Sequence, residues 1–262
     1  MNTAMVIARN TISEALRKKI LNAFLMVGVV LIALTFIFQQ FAPRQELTLV
    51  KGMGLGIISL AGLFITVILC INLVPTEVER RTIYTILAKP VRRYEFLLGK
   101  FFGALGTLGI NIGLMGLAFV VAVAVKQIGA ENAVSPLILF KGILMIAMQM
   151  LLLAALAMFF STFVTPLVNF FLTMVLFVIG NLSSYTLDLA KNSQVAIVKY
   201  VLLGVHYVVP NFGNFQYTNP LLQPDVVVKN ETLFLTQNCA YAVAYATALM
   251  VLAILVFDRR EV

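Results

Sequence analysis

The sequence predicts an all-α membrane protein with six transmembrane helices, an N-terminal amphipathic interfacial helix and a short cytoplasmic coupling helix between the second and third spans. Three observations carry that expectation. Apolar residues fill 61% of the 262 positions and charged residues only 11%, whereas soluble domains sit near about 45–50% and 25%. Mean hydropathy is correspondingly high, +0.99. Six apolar runs each supply the roughly 20 residues needed to cross about 30 Å of hydrocarbon. The basic residues also collect between alternate runs, which fixes an orientation.

The expected spans are 20–41, 53–74, 101–125, 137–160, 166–187 and 238–257, within one transmembrane domain covering 1–262. Five of them contain no Asp, Glu, Lys or Arg, and the fourth contains Lys141, placed to snorkel toward the headgroups. The first run lies behind an amphipathic stretch and lacks a small-x-small site, so it reads as a span and not as a cleaved signal peptide. With both termini inside, the cytoplasmic side holds twelve of the nineteen basic residues, among them Arg17, Lys18, Lys19, Arg80, Arg81, Arg92, Arg93 and Lys100. That is the positive-inside pattern. The net charge of +8 therefore reads as topology and contact with anionic membrane lipid, with no nucleic acid required. Cys70 and Cys239 fall near opposite ends of their spans, too far apart for the Cα separation of about 7 Å that a disulfide allows.

Taken in order, residues 3–19 form an amphipathic helix. Met5, Ala8, Ile12, Ala15 and Leu16 recur at helical spacing, away from Arg9, Ser13, Arg17 and Lys18. Such a helix lies in the interface, as a simple anchor or as a contact for a partner. Residues 75–100 form a cytoplasmic loop with its own short helix. Thr76 and Glu79 make a capping box, Glu77 and Arg81 an i,i+4 pair, and Ile83, Ile86 and Leu87 share a face before Pro90 ends the helix. A headgroup-anchored connector is the plainer alternative.

The third span carries Gly99, Gly103, Gly106, Gly109, Gly113 and Gly116, all within an arc of roughly 140°. This stripe predicts close helix packing of the small-xxx-small kind. Pro166 opens the fifth span, where proline is tolerated. The few polar groups inside spans, Asn72, Asn111, Gln149, Asn169 and Asn181, predict hydrogen bonds between helices. Residues 188–237 form the largest extracytoplasmic segment. Within it 195–209 is too short to span and reads as an interfacial or re-entrant helix before Pro210-Asn211.

Catalytic signatures are missing. There is no GxxxxGK[ST] phosphate loop, no HExxH and no triad, and His206 is the only histidine, so no metal site is expected. The chain reads as non-catalytic by itself, with no cofactor bound directly.

Thr82, Leu87, Pro90, Val91, Arg93, Gly99 and Lys100, in the stretch ERRTIYTILAKPVRRYEFLLGK, resemble the first cytoplasmic loop of ABC transporter type 2 permeases. The amphipathic start and the six spans extend the likeness over nearly the whole chain. Pro210-Asn211 is similar to a subgroup that includes the permease of nitrous-oxide-reductase maturation. Arg81 departs from the pattern, standing where many members carry glycine. The resemblance implies a permease subunit of an exporter in the bacterial cytoplasmic (inner) membrane. A separate cytoplasmic ATPase subunit would hold ATP and Mg. Glu77, Glu79, Arg80, Arg81, Thr82, Ile83, Ile86, Leu87, Pro90 and Arg93 would couple the two, and a second copy or paralogue would complete the pore. Partner proteins on the extracytoplasmic side are a further class. It names no substrate-binding residues, and a non-transporting membrane scaffold or assembly factor is the alternative.

Overall fold

A computed structural model describes residues 3–38, 46–75, 92–127, 136–192, 195–216 and 230–259, and all regular structure among them is helical. In chain order the elements are α1 (Thr3–Arg17), α2 (Lys19–Phe38), α3 (Glu46–Ile71), α4 (Arg93–Lys126) and α5 (Pro136–Ser161). They continue with α6 (Pro166–Asn181), α7 (Ser183–Asn192), α8 (Ala196–Val208), a 3-10 turn (Gly213–Gln216) and α9 (Glu231–Arg259). Five of these, α2, α3, α4, α5 and α9, are long and apolar enough to cross a membrane.

At the centre stands α5, which packs against α3, α4, α6, α9 and the 3-10 turn. Residues 152–158 are buried without a break, as expected of a helix that is apolar on every side. Ala154, Ala155 and Ala157 keep that stretch thin enough for neighbours on all faces. By contrast, α2 leaves Met26, Val27, Val30 and Leu34 exposed along one face.

Two polar links identify the ends of the bundle. At one end Arg93 Nη1 donates to the Phe257 and Asp258 carbonyls, each at 3.3 Å, and Phe96 stacks on Phe257. This end also gathers Arg92, Lys100 and Arg259 and is called the basic end below. At the far end Lys141 Nζ meets Glu231 Oε2 at 2.8 Å. Lys141 therefore has a carboxylate partner there, where the sequence suggested only snorkelling.

Helix ends differ from the apolar runs in a consistent way. The helix of the third run begins at Arg93, eight residues before the run itself, so residues 93–100, expected as loop, form the first turns of α4. The helix of the last run begins at Glu231, seven residues early, inside the segment expected to be extracytoplasmic. Backbone hydrogen bonds close a helix as readily in water as in lipid, so hydropathy marks only the buried stretch. Over the fifth run the helix stops at Asn181, with a turn at Leu182 before α7. At 16 residues, α6 is only about 24 Å long, short of the hydrocarbon thickness.

Candidate functional site

Of the residues the sequence assigns to coupling, Glu77, Glu79, Arg80, Arg81, Thr82, Ile83, Ile86, Leu87 and Pro90 lie outside the described residues, while Arg93 opens α4 at the basic end. The start of α4 is held by Glu95, whose Oε2 accepts the Arg92 N–H at 3.2 Å. Arginine offers no acceptor in return, so this is the rear half of a capping box. A hydrogen bond to the Tyr94 hydroxyl, then the fields of Tyr94 and Glu95, push the Arg92 guanidinium above its already high range. The Arg93 bonds to Phe257 and Asp258 satisfy carbonyls that the end of α9 leaves open and put a cation where the helix dipole favours one.

Beside this point α1 lies along α4. A Cβ placed on Gly99 would meet the Ala4 carbonyl and Ile7 at 2.8 Å, and one on Gly103 would meet Thr11 Cβ at 2.5 Å and the Ala8 carbonyl at 2.9 Å. One on Gly106 would touch Ile12. So half of the glycine stripe receives α1, and Gly116 faces Ile143 of α5. Gly109 and Gly113 face open space. The face α1 presents to α4 therefore centres on Ile7, Thr11 and Ala15. Met5 and Leu16, read as part of the apolar face, are exposed. Thr11 fits such a buried place because its hydroxyl donates to the Ile7 carbonyl at 2.9 Å. The opposite face of α1 lines an open groove of about 710 Å³ with Val6, Arg9, Asn10, Ser13, Glu14 and Arg17.

A second constellation sits at the middle of α5. Gln149 is fully buried. Its Nε2 donates to Asn181 Oδ1 at 3.2 Å and to the Phe212 carbonyl at 3.1 Å, and its Oε1 accepts from Ser59 at 3.5 Å. Gln216 Nε2 reaches the same Asn181 oxygen at 3.0 Å. The Gln149 amide thus ties α5 to α3, to α6 and to Phe212, just before the 3-10 turn. Residues 208–216 are clamped around it. Tyr245 donates to the Val208 carbonyl at 2.7 Å, the Asn211 N–H donates to the Tyr241 hydroxyl at 3.1 Å, and the Phe212 N–H caps the Gly180 carbonyl at 3.0 Å. Phe212 and Phe215 are fully buried. Gly180 is required here, because a Cβ would collide with the Pro210 carbonyl and the Phe212 ring.

The other predicted amides divide. Asn169 Nδ2 donates to the Ala157 carbonyl across to α5 and its oxygen accepts from Thr173. Asn111 instead bonds the carbonyl one turn back in its own helix and Asn72, just past the end of α3, bonds the Ile68 carbonyl, and Asn111 Oδ1 is buried without a partner. His206 Nδ1 stands 2.9 Å from Ser183 Oγ, joining α7 to α8. Both cysteines are free. Sequence reasoning missed Ser59, Thr11, Phe212, Phe215, Gln216, Tyr241 and Tyr245. The aromatic pair at 212 and 215 beside Pro210-Asn211 was the available signal.

The family model described as ABC-2 family transporter protein matches residues 3–262. No curated protein matches the chain.

Proposed function

The chain belongs to the ABC-2 transporter family and is a membrane subunit of an ABC transporter, and on that premise we propose that it is the permease of an exporter driven by a separate cytoplasmic ATPase. The near-complete family match carries this reading, and the build of the basic end supports the coupling half of it. Residues 76–91 receive the ATPase, which binds ATP and Mg. Its motion reaches α4 through the chain at Arg92, α1 through the glycine seam and α9 through Arg93. Two copies, or one copy and a close paralogue, pair so that cargo moves between them.

In this reading the chain crosses the bacterial inner membrane six times with both termini in the cytoplasm. The basic end faces inward, as the positive-inside rule requires. The fifth crossing is α6 extended by α7, together about 40 Å long. The Leu182 N–H bonds the Val178 carbonyl at 3.2 Å and the Thr186 N–H the Leu182 carbonyl at 3.0 Å, so α6 and α7 meet directly at Leu182.

The test is co-purification with a phosphate-loop ATPase encoded beside this chain, followed by ATP turnover in proteoliposomes. The complex should hydrolyse ATP and the chain alone should not. Ile83→Asp and Leu87→Asp should each release the ATPase while the permease still inserts. Full binding and full coupled turnover in both variants would reduce 76–91 to a connector.

A further inference from the structure

We propose that the groove on the outer face of α1 binds an anionic phospholipid, with the phosphate of its headgroup between Arg9 and Arg17. The leaflet rests on the reading above, which turns the basic end toward the cytoplasm, while the site itself rests on α1. Arg9, Ser13 and Arg17 follow one another a turn apart, within an arc of about 80° at 100° per residue. Eight residues separate the two arginines by about 12 Å along the helix axis. Their long side chains can close on one phosphodiester from its two sides, with Ser13 midway and Asn10 beside it.

The electrostatics of the groove suit an anion. Arg9 and Arg17 are both exposed, and among the described residues neither has an ion-pair partner. The one carboxylate of the lining, Glu14, meets Lys18 Nζ at 3.4 Å instead. Each guanidinium carries five N–H donors in a planar fork that matches phosphate oxygens in pairs. The Ser13 hydroxyl and the Asn10 amide add neutral donors.

Depth and the border of the groove make that anion a lipid. The inner face of α1 lies on Gly99, Gly103 and Gly106 of α4, around residue 101, where the apolar run begins. Headgroups sit at this level, and the cytoplasmic leaflet carries the anionic ones. Met5 and Leu16 are exposed and fall about 20–40° from Arg9 on the wheel. They edge the basic stripe with apolar surface, and Val6 lies in the groove itself. A phospholipid presents phosphate and acyl chains side by side, as this face requires. A soluble anion would leave Met5 and Leu16 in water.

The full chain in phosphatidylcholine nanodiscs tests the site. The chain has no tryptophan, so Met5→Trp is a sole fluorophore at the border of the groove. Brominated phosphatidylglycerol should half-quench it at a mole fraction roughly 10- to 30-fold lower than brominated phosphatidylcholine, since each arginine near the surface favours anionic lipid about fivefold. Arg9→Gln/Arg17→Gln should erase that preference, and Glu14→Gln should sharpen it. Arg259→Gln removes a charge from the same end, outside the groove, and should change nothing. Equal quenching by the two lipids in the parent overturns the site, as does a preference that survives the double arginine change. If that preference survives while the ATPase no longer co-purifies, the groove belongs to the ATPase. Labelling of Ser13→Cys by an impermeant maleimide from outside intact cells, on a Cys70→Ala/Cys239→Ala background, would instead overturn the inward orientation and the leaflet. Both leaflets of a nanodisc have one composition, so the quenching result tells the two failures apart.

Discussion

Adding one methyl group at Gly103 should loosen α1, and adding two should release it. The seam is held by Ile7 and Ile12, both part-buried, and by Ala15, 2% exposed. Partial burial of two isoleucines and full burial of one alanine contribute about 3–4 kcal/mol. In Gly103→Ala the new Cβ meets Thr11 Cβ at 2.5 Å and the Ala8 carbonyl at 2.9 Å. The second contact is backbone and cannot rotate away, so overpacking of this kind costs about 1–3 kcal/mol. Docking therefore survives the single change with its population of undocked helix raised roughly 10- to 100-fold, at about 1.4 kcal/mol per tenfold. In Gly99→Ala/Gly103→Ala the same cost applies twice, because the Gly99 methyl meets the Ala4 carbonyl and Ile7 at 2.8 Å, and the balance reaches zero. The assay is the maleimide labelling rate of Ala15→Cys in membrane vesicles lacking the two native cysteines. The single variant should label roughly 10- to 100-fold faster than the parent and the double should approach the rate of an exposed cysteine. Gly109→Ala, where nothing lies within 4 Å, is the control and should change nothing. If the double variant inserts normally and Ala15→Cys stays as protected as in the parent, the seam does not hold α1.

Three further outcomes follow from the same geometry. Gln149→Leu leaves the buried Phe212 carbonyl without its amide donor, a cost of about 1–3 kcal/mol, so hydrogen exchange of residues 212–216 should rise by one to two orders of magnitude while α4 is unchanged. Asn111→Leu should be neutral or stabilising in detergent melts, because it removes a buried oxygen that has no partner and gives up only one bond within its own helix, worth about 0.5–1.5 kcal/mol. Arg93→Gln removes the cation from the end of α9, where it contributes about 0.3–1 kcal/mol. The ATPase should still co-purify with that variant, and coupled ATP turnover should fall.

How far the sequence foretold this structure depends on whether a feature is local. Pro166 opens α6 as its fixed φ allows, and the long apolar runs became helices because hydropathy and helix length point the same way. The break at Leu182 was hidden. Asn181-Leu182-Ser183 contains no proline or glycine, and the turn is set by Phe212, which reaches the Gly180 carbonyl from 32 positions further along. The same limit applies to the glycine stripe. Its periodicity shows that something approaches closely but cannot say what, and α1 took three of the six positions while two stayed open. For α1 itself, an amphipathic pattern reads alike whether the apolar face meets lipid or protein. Only the small residues of the facing helix decide it, and they lie 90 positions away. Gln149 was visible as a polar group in an apolar helix, but its three partners, Ser59, Asn181 and Phe212, come from three other parts of the chain, none adjacent in sequence.

These distances also bear on how the two ends communicate. Cores packed at crystal-like density do not deform continuously, so a push on α4 at Arg93 moves the 34-residue helix as a rod. Its neighbour α5 must then slide or tilt with it, since Ile143 of α5 sits in the gap over Gly116. Any tilt of α5 displaces Gln149, and the bonds from Gln149 to Asn181 and Phe212 cannot both stay near 3.1 Å unless α6 and residues 208–216 follow. If α5 stays still, the seam at Gly116 must open instead and draw Gly116 away from Ile143. Motion entering at the basic end is therefore felt at the mid-depth amide or at that seam. Spin labels at Gly109 and Gly213, compared with and without the ATPase bound to nucleotide, separate the two cases. A change in their distance accompanies the first, and an unchanged distance with faster labelling of Ile143→Cys accompanies the second. Neither change under turnover would mean that α4 and α5 do not carry the stroke.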